Sequence, residues 1–321
     1  MPLDRHARRI LQMLAAAAGP RHGPYDLAQV RRSMEQLPAA IDPRDLAPVD
    51  TQELEIPSPD GALRLRRYAS AGAGAPAGGL IYFHGGIGVF GSLQTHDALC
   101  RMLSADGGLV VLSVDYRLAP EHPWPAALQD ARCATGWVAD QAARLGIAAG
   151  CLAIGGDSAG ATLATTVCRL SRDAGGPALA AQLLLCPVTD LAGRSASRAA
   201  YAEGYFLSDS LLQWALDLAC PAGVDRTAAE LSPLRAADLR GLPPAIVHTA
   251  EFDPFRDEGQ SYARALAEAG VPVQAACHAG LIHHYYGMAG AIPAARGAVR
   301  EAALALRATL DGLQRGAKNS V

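Results

Sequence analysis

One pentapeptide, G-x-S-x-G at 156–160, constrains the fold of this chain more than any other feature. It follows the apolar run 151–154 and precedes a helical pattern from Ala161 to Arg172. The order strand, sharp turn, helix places Ser158 on a strained turn with its hydroxyl exposed, and the glycines let neighbouring segments approach. Because short motifs also arise by chance in a chain with 33 glycines, this one needs support elsewhere in the sequence.

A second glycine-rich turn, H-G-G-I-G at 84–88, directly follows the apolar run 80–83. In acyl transfer, negative charge develops on a carbonyl oxygen, and each rigid backbone N–H aimed at it stabilises the transition state by about 3 to 4 kcal/mol. We expect this loop to form such an oxyanion hole together with the residue that follows the serine. The candidate donors are Gly85, Gly86, Ile87 and Ala159.

A serine hydroxyl becomes a good nucleophile only when a histidine takes its proton and a carboxylate orients that histidine. Two late apolar runs, at 244–248 and 271–275, have the pattern of strands. Asp253 follows the first and His283 follows the second. Because loop residues just beyond strand ends reach such sites, we predict the triad Ser158, Asp253 and His283.

The acid has two competitors in the same segment, Glu251 and Asp257. Asp257 fits better as the N-cap of a helix that starts near Glu258. Asp253 is the preferred acid, and the other two remain alternatives at this stage.

With these residues in place, the chain resembles the bacterial hormone-sensitive-lipase-like carboxylesterases, a G-D-S-A-G family of the α/β-hydrolase superfamily. The resemblance covers nearly the whole chain. It rests on five ordered motifs: H-G-G at 84–86, D-Y-R-L-A-P-E-H-P-W-P-A-A at 115–127, G-D-S-A-G at 156–160, D-P-F-R-D-E-G at 253–259 and I-H at 282–283. It implies an α/β fold with a mostly parallel eight-stranded sheet, flanking helices and a helical cap. It also implies hydrolysis of short to medium acyl esters and supports the predicted triad.

Two residues depart from that family. Ile87 stands where the family has a third glycine, and His284 stands where it commonly has glycine. The isoleucine N–H can still donate, but a branched side chain restricts the backbone and projects towards the substrate. We therefore predict a narrowed or reshaped acyl pocket. If Ile87 instead forces the peptide away, activity is feeble and replacing it with glycine raises kcat.

Length and composition agree with this interpretation. A chain of 321 residues, with 50% hydrophobic and 18% charged residues, can bury one large core with an accessory cap. The formal net charge of −3 and the lack of basic stretches with interleaved aromatics argue against a nucleic-acid partner. The sequence contains no run of eighteen apolar residues, so we predict no membrane span. The partner we expect is a small-molecule ester, and the resemblance also suggests a homodimer.

The seven cysteines form no C-x-x-C pair, and most lie in apolar runs, where free cysteine packs as a small hydrophobe. This argues against structural disulfides and favours the cytoplasm. Near the N-terminus the apolar stretch from Ile10 to Ala18 follows three arginines, but it is short and suits a helix better than a cleaved signal.

The chain divides into a core and a cap. We predict N-terminal cap helices in 1–50, an α/β-hydrolase core in 51–189 and 231–321, and a second cap segment in 190–230. In the first part, helices at 2–18 and 25–37 are separated by Gly19 and Pro20. The core begins with an edge hairpin, with strands at 53–57 and 63–68. The second cap segment contains a helix at 209–218, which Ser208 caps.

Other conspicuous residues have simpler interpretations. The scattered histidines form no metal-binding pattern, so we expect neither metal nor cofactor. Asp157 is expected to make structural hydrogen bonds. In the 115–127 stretch, Asp115 and Glu121 are expected to make buried polar contacts. Four side chains are candidates for the substrate pocket, although aromatic residues are more often core: Tyr205, Phe206, Trp214 and His284. Tyr285 and Tyr286 are further candidates for the same pocket.

The predicted function is carboxylesterase activity through an acyl-enzyme intermediate. Because a triad specifies acyl transfer and not the leaving group, amidase, thioesterase and lactonase activities remain alternatives. A non-catalytic ligand-binding homologue is a further alternative, although the three triad residues are all present.

Overall fold

The computed structural model describes residues 1–18, 23–70 and 76–318. An eight-stranded sheet forms its centre, in the order β1-β2-β4-β3-β5-β6-β7-β8. The β1–β2 and β2–β4 pairs are antiparallel and every other pair is parallel. The strands are β1 (Val49–Ser58), β2 (Gly61–Ser70), β3 (Ala77–Phe83), β4 (Val110–Asp115), β5 (Ile147–Asp157), β6 (Gln182–Leu185), β7 (Ala245–Phe252) and β8 (Val273–Ile282).

Helices cover both faces of the sheet, because its central strands are apolar on both sides. In β3, Leu80 and Tyr82 pack into one core cluster with α1, α4 and α10, while Ile81 and Phe83 pack into another with α5, α6 and α9. The helices are α1 (Arg5–Ala18), α2 (Leu27–Gln36), α3 (Pro38–Ile41), α4 (Asp97–Gly107), α5 (Ala126–Asp140), α6 (Ala159–Ala174), α7 (Ala196–Ala200), α8 (Asp209–Ala219), α9 (Arg256–Glu268) and α10 (Pro293–Lys318).

A third apolar cluster joins the loop after β3 to α8, and side chains of α2 pack against it. The fold therefore matches the predicted α/β architecture, with a mostly parallel eight-stranded sheet and helices on both faces. No helix in the described part of the chain is long and apolar enough to cross a membrane.

Several local predictions can be checked directly. The edge hairpin is confirmed as β1 and β2, and the Ser208 cap is confirmed because its Oγ accepts the Leu211 N–H at 3.2 Å. The second helix starts at Leu27 instead of residue 25, because the Asp26 carboxylate accepts the Gln29 N–H and caps it there. The predicted break at Gly19 and Pro20 lies outside the described residues.

The N-terminal cap segment is not uniform in its contacts. The helix α1 packs against the core, where the Asp4 N–H donates to the Gly280 carbonyl at 3.0 Å. By contrast, α2 and α3 supply side chains to the chamber that contains Ser158, namely Met34, Pro38 and Ile41. The predicted cap boundaries at 50, 190 and 230 stay a prediction.

Candidate active site

Ser158 stands on a sharp turn between β5 and α6. Its backbone has φ 52° and ψ −121°, a strained conformation for a residue with a side chain. The turn is held because the Ser158 N–H donates to the Leu185 carbonyl at 2.9 Å. A Cβ on Gly160 would overlap the Phe83 carbonyl oxygen, so only glycine lets α6 start this close to β3. The predicted strand, turn and helix are all present, with the serine between them.

The structure brings the three predicted triad residues together. His283 Nε2 lies 3.2 Å from Ser158 Oγ, and His283 Nδ1 lies 2.9 Å from Asp253 Oδ2. The other carboxylate oxygen of Asp253 accepts the Phe255 N–H at 2.7 Å. All three side chains are at most 4–5% exposed. Asp253 and His283 follow the ends of β7 and β8 directly, so the parallel sheet itself places them near the turn.

The two competing acids have other partners. Glu251 pairs with the N-terminal amine of Met1 at 2.6 Å and accepts the Gly280 N–H at 2.8 Å. Asp257 accepts the Ser197 N–H at 2.7 Å and pairs with Arg256. The predicted capping role of Asp257 is wrong: α9 starts at Arg256, so Asp257 lies in its first turn.

The glycine-rich loop after β3 is tightly folded and faces Ser158. The N–H groups of Val89 and Phe90 both donate to the Gly86 carbonyl, at 2.9 and 3.0 Å. Among the residues that the structure describes, neither the Gly86 N–H nor the Ile87 N–H donates a hydrogen bond. Ala159, as the first residue of α6, has no acceptor within the helix. These three N–H groups are therefore available to an oxyanion.

Gly85 and Ile87 take different places in this loop. A Cβ on Gly85 would collide with the Asp157 carboxylate, so this glycine packs the loop against the end of β5. Ile87 has a positive φ of 59°, a backbone conformation that favours glycine. Its side chain is only 8% exposed and packs into the cluster formed with α8. The loop therefore accommodates the isoleucine without unfolding.

A buried polar cluster lies beneath the loop. Asp157 makes the structural polar contacts that the sequence led us to expect, but its partners were missed. Tyr82 O–H donates to Asp157 Oδ1 at 2.8 Å, and His96 Nε2 lies 3.3 Å from the same oxygen. Burial alone would raise the pKa of Asp157, but the charge and hydrogen bond of His96, with the Tyr82 bond, lower it to about 2. His84 stacks on Tyr116, and its burial lowers its pKa to about 4. The loop thus rests on an ionised carboxylate and a neutral imidazole.

A second missed residue, Arg31 of α2, ties the cap to this loop. Its guanidinium donates to the carbonyls of Val89 and Ala119 at 2.9 and 2.8 Å. It also forms a bidentate pair with Glu121. The expectation of a buried contact for Glu121 is wrong, because its side chain is 54% exposed. The sequence offers no local signal for this tie, since Arg31 and Val89 lie 58 positions apart.

The proposed pocket residues fall into two groups. Phe206 and His284 line the chamber around Ser158 and stack on each other, with ring centroids 5.0 Å apart. Tyr205 stacks on Phe252, and Trp214 packs against Tyr25, so neither lines that chamber. Of the two further candidates, Tyr286 lines that chamber and Tyr285 does not.

His284 also has a positive φ, of 64°, a backbone conformation that favours glycine. Burial and the neighbouring His96 lower its pKa to about 3, so its ring is neutral near pH 7.

In the part of the chain that the structure describes, two groups of side chains have the composition of metal ligands. In the first, His96, Asp157 and His284, and in the second, Cys186, Asp253 and His283, the ligand atoms lie within 4.8 Å of one another. A metal bound by His96, Asp157 and His284 would break the contact between His96 and Asp157. A metal bound by Cys186, Asp253 and His283 would break the hydrogen bond between His283 and Asp253. The expectation that no metal or cofactor takes part stays a prediction.

The comparisons with known proteins agree with this geometry. Residues 80–287 match the family model described as alpha/beta hydrolase fold. The chain is 40% identical to esterase LipI of Mycobacterium tuberculosis (strain ATCC 25618 / H37Rv) over 286 residues, which cover 88% of each protein. It is 43% identical to carboxylic ester hydrolase LipN of the same strain over 243 residues. Those residues cover 74% of this chain and 64% of LipN, a little under two thirds of that relative.

A solved structure gives the same result. Ester hydrolase EH1AB1 from the metagenome of Lake Arreo, in complex with a derivative of bipyridine phosphonate, has a TM-score of 0.90 at 39% identity. The match covers 95% of this chain and 98% of that one. Fold and site together define a hydrolase of the serine type. The chain belongs to the α/β-hydrolase fold family, and the resemblance to its hormone-sensitive-lipase-like carboxylesterases is confirmed.

Proposed function

We propose that this chain is a carboxylesterase that cleaves short to medium acyl esters, with Ser158 as nucleophile. The observation that carries the proposal is the unbroken hydrogen-bond chain from Ser158 Oγ through His283 to Asp253, at an apolar chamber. The esterase names of LipI and LipN support the reaction type. A ligand-binding protein without activity would not need this alignment of nucleophile, base and acid.

The reaction begins when His283 Nε2 takes the proton of Ser158 Oγ, which attacks the ester carbonyl carbon. The N–H groups of Gly86, Ile87 and Ala159 stabilise the resulting oxyanion. Protonated His283 then gives its proton to the alcohol oxygen as the ester bond breaks, which leaves an acyl group on Ser158. In the second half, His283 deprotonates a water molecule that releases the acid, and Ser158 regains its proton.

Asp253 orients the base throughout. Because Asp253 Oδ2 faces His283 Nδ1, it holds the proton on that nitrogen and leaves Nε2 free to accept one. The Phe255 N–H fixes the carboxylate from its other side. The role of Asp253 is therefore to select the imidazole tautomer and to stabilise its charged form, without itself taking the proton.

The chamber limits the substrates. It offers about 700 Å³ of unfilled space, including its open mouth, with a mainly apolar wall from α2, α3 and α8. Leu37, Leu207 and Leu211 belong to that wall, and they suit an alkyl group better than a charged one. A compact space of this kind favours short to medium acyl chains.

Steady-state hydrolysis of p-nitrophenyl esters from acetate to dodecanoate tests the proposal, with Ser158→Ala measured in parallel. We expect the native chain to cleave short esters and turnover to fall with acyl length, while the alanine variant loses activity but keeps its melting temperature. Matched thioester, amide and lactone substrates separate the alternative leaving groups. Ester turnover by Ser158→Ala would refute the assignment of the nucleophile.

We further propose that the enzyme works without metal or cofactor, in the cytoplasm and as a homodimer. The support for the cytoplasm is that all seven cysteines are free thiols. Activity after exhaustive dialysis against a chelator tests the first point, and sedimentation velocity tests the oligomeric state.

A further inference from the structure

A second apolar chamber lies directly behind the candidate active site. It offers about 680 Å³ of unfilled space, including its open side, and is lined by residues of α6, α8 and the segment between β4 and α5. Its wall is mostly aliphatic, with Leu163, Val188, Leu212, Leu216 and Leu231 among the lining residues. Ser158 and His283 line the first chamber and not this one.

Ile87 is the one residue of the described chain that lines both chambers. At two other places, consecutive residues line different chambers. Ser158 lines the first chamber and Ala159 the second, and Leu211 lines the first and Leu212 the second. The two spaces are therefore next to each other at the nucleophile, and the Ile87 side chain is the wall that both share.

The loop holds this wall in place. The Ala119 N–H donates to the Gly88 carbonyl at 2.8 Å, and Arg31 donates to the Val89 carbonyl at 2.9 Å. The Gly86 carbonyl, on the other side of Ile87, accepts the Val89 N–H at 2.9 Å. Because the carbonyls of both neighbours of Ile87 are hydrogen-bonded and a β-branched side chain has few rotamers, the wall cannot easily swing aside. A loop with glycine at this position would have no such wall.

We propose that Ile87 sets the acyl-chain length that this enzyme accepts, by closing Ser158 off from a second chamber suited to a longer alkyl chain. The inference rests on the proposed esterase function and names the substrate class of that site. In the native chain the acyl group stays in the first chamber. Removal of the Ile87 side chain joins the two spaces, so that a straight acyl chain attached to Ser158 extends between α6 and α8.

The test compares kcat/KM for p-nitrophenyl decanoate with that for the butyrate in native chain and Ile87→Ala. Each methylene that becomes buried raises kcat/KM about fourfold, so we expect the decanoate-to-butyrate ratio to rise roughly 10- to 100-fold. Val89→Ala is the matched control, because it truncates a buried β-branched residue of the same loop that lines neither chamber. We expect Val89→Ala to change the ratio less than twofold.

A second pair of variants fills the new space. Ala219 lines only the second chamber, and phenylalanine there occupies it. In Ile87→Ala/Ala219→Phe we expect the gain on decanoate to disappear, whereas Ala219→Phe alone keeps the native ratio. If Ile87→Ala does not fold, the decanoate-to-butyrate ratio of Ala219→Phe alone still tests the inference. A loss of decanoate activity in Ala219→Phe would place native acyl chains in the second chamber and would overturn the role of Ile87.

The outcomes separate the inference from the proposed function. An unchanged ratio in folded Ile87→Ala, an equal rise in Val89→Ala, or a gain that survives Ala219→Phe would overturn the role of Ile87 while ester hydrolysis remains. Failure of the native chain to cleave any ester would instead count against the proposed function.

Discussion

Replacing Asp253 with asparagine gives a prediction that follows from two hydrogen bonds. Asp253 accepts the Phe255 N–H at one oxygen and faces His283 Nδ1 with the other, at 2.7 and 2.9 Å. An asparagine side chain has one oxygen and one NH₂ group. The oxygen must stay opposite the Phe255 N–H, so the NH₂ group faces His283 Nδ1. That nitrogen then has to be an acceptor, and the imidazole proton moves to Nε2, opposite Ser158.

In this tautomer His283 cannot take the serine proton. The loss of a general base through the wrong tautomer lowers kcat about 10⁴-fold, which corresponds to about 5.5 kcal/mol in the activation barrier. The assay is steady-state hydrolysis of p-nitrophenyl butyrate at pH 7.5, with the melting temperature as a check of folding. Because asparagine fills the same buried space as aspartate, we expect the fold to remain intact.

Asp257→Asn is the matched control, since Asp257 belongs to the same segment but pairs with Arg256 and the Ser197 N–H. We expect it to retain activity within about threefold, in keeping with the small effect of exposed ion pairs. A loss smaller than tenfold in Asp253→Asn, or an equal loss in Asp257→Asn, would refute the tautomer argument.

Three further predictions concern the supports of the site. Arg31→Ala frees the glycine-rich loop after β3 from α2, so we expect kcat/KM to fall about tenfold. Glu121 is the exposed partner of Arg31, and we expect Glu121→Gln to change kcat/KM less than twofold. Gly160→Ala forces a methyl group into the backbone of β3 and lowers the free energy of unfolding by about 3 kcal/mol. A methyl group on Gly297 in α10 meets no obstruction, so Gly297→Ala raises the free energy of unfolding by about 0.5 to 1 kcal/mol. Urea unfolding measures both changes. Burial raises the pKa of Glu258 from 4.5 to about 7. The protonated Glu258 side chain therefore stabilises the folded state fully below pH 4.5, and this stabilisation is lost as the pH rises to 7. Between pH 5 and 8 the native chain should therefore lose up to about 3 kcal/mol of stability relative to Glu258→Gln in urea titrations.

The triad could be predicted because its signals are local. Ser158, Asp253 and His283 each follow a strand of the parallel sheet, and the carboxyl ends of such strands meet at one edge. The sequence already favoured Asp253 as the acid, but Glu251 lies only two positions earlier in the chain. Hydrogen-bond geometry was needed to exclude Glu251.

The packing of α8 against α2 and the second chamber could not be predicted in the same way. Trp214 and Leu211 lie on one helix, yet Leu211 lines the active-site chamber and Trp214 packs against Tyr25. This difference depends on how α8 is turned against α2, which no periodicity encodes. A narrowed or reshaped pocket at Ile87 was expected from the sequence, but the second chamber behind Ile87 was not. That chamber is space left unfilled where segments distant in the sequence pack together.

Covalent labelling of the nucleophile tests the central claim most directly. Diethyl p-nitrophenyl phosphate transfers a diethylphosphoryl group to an activated serine and releases nitrophenol, and the modified chain can be weighed intact and mapped by peptide mass spectrometry. The account predicts one group per chain on Ser158, loss of esterase activity in proportion to labelling, and no labelling of Ser158→Ala. Complete inactivation with Ser158 unmodified would contradict it.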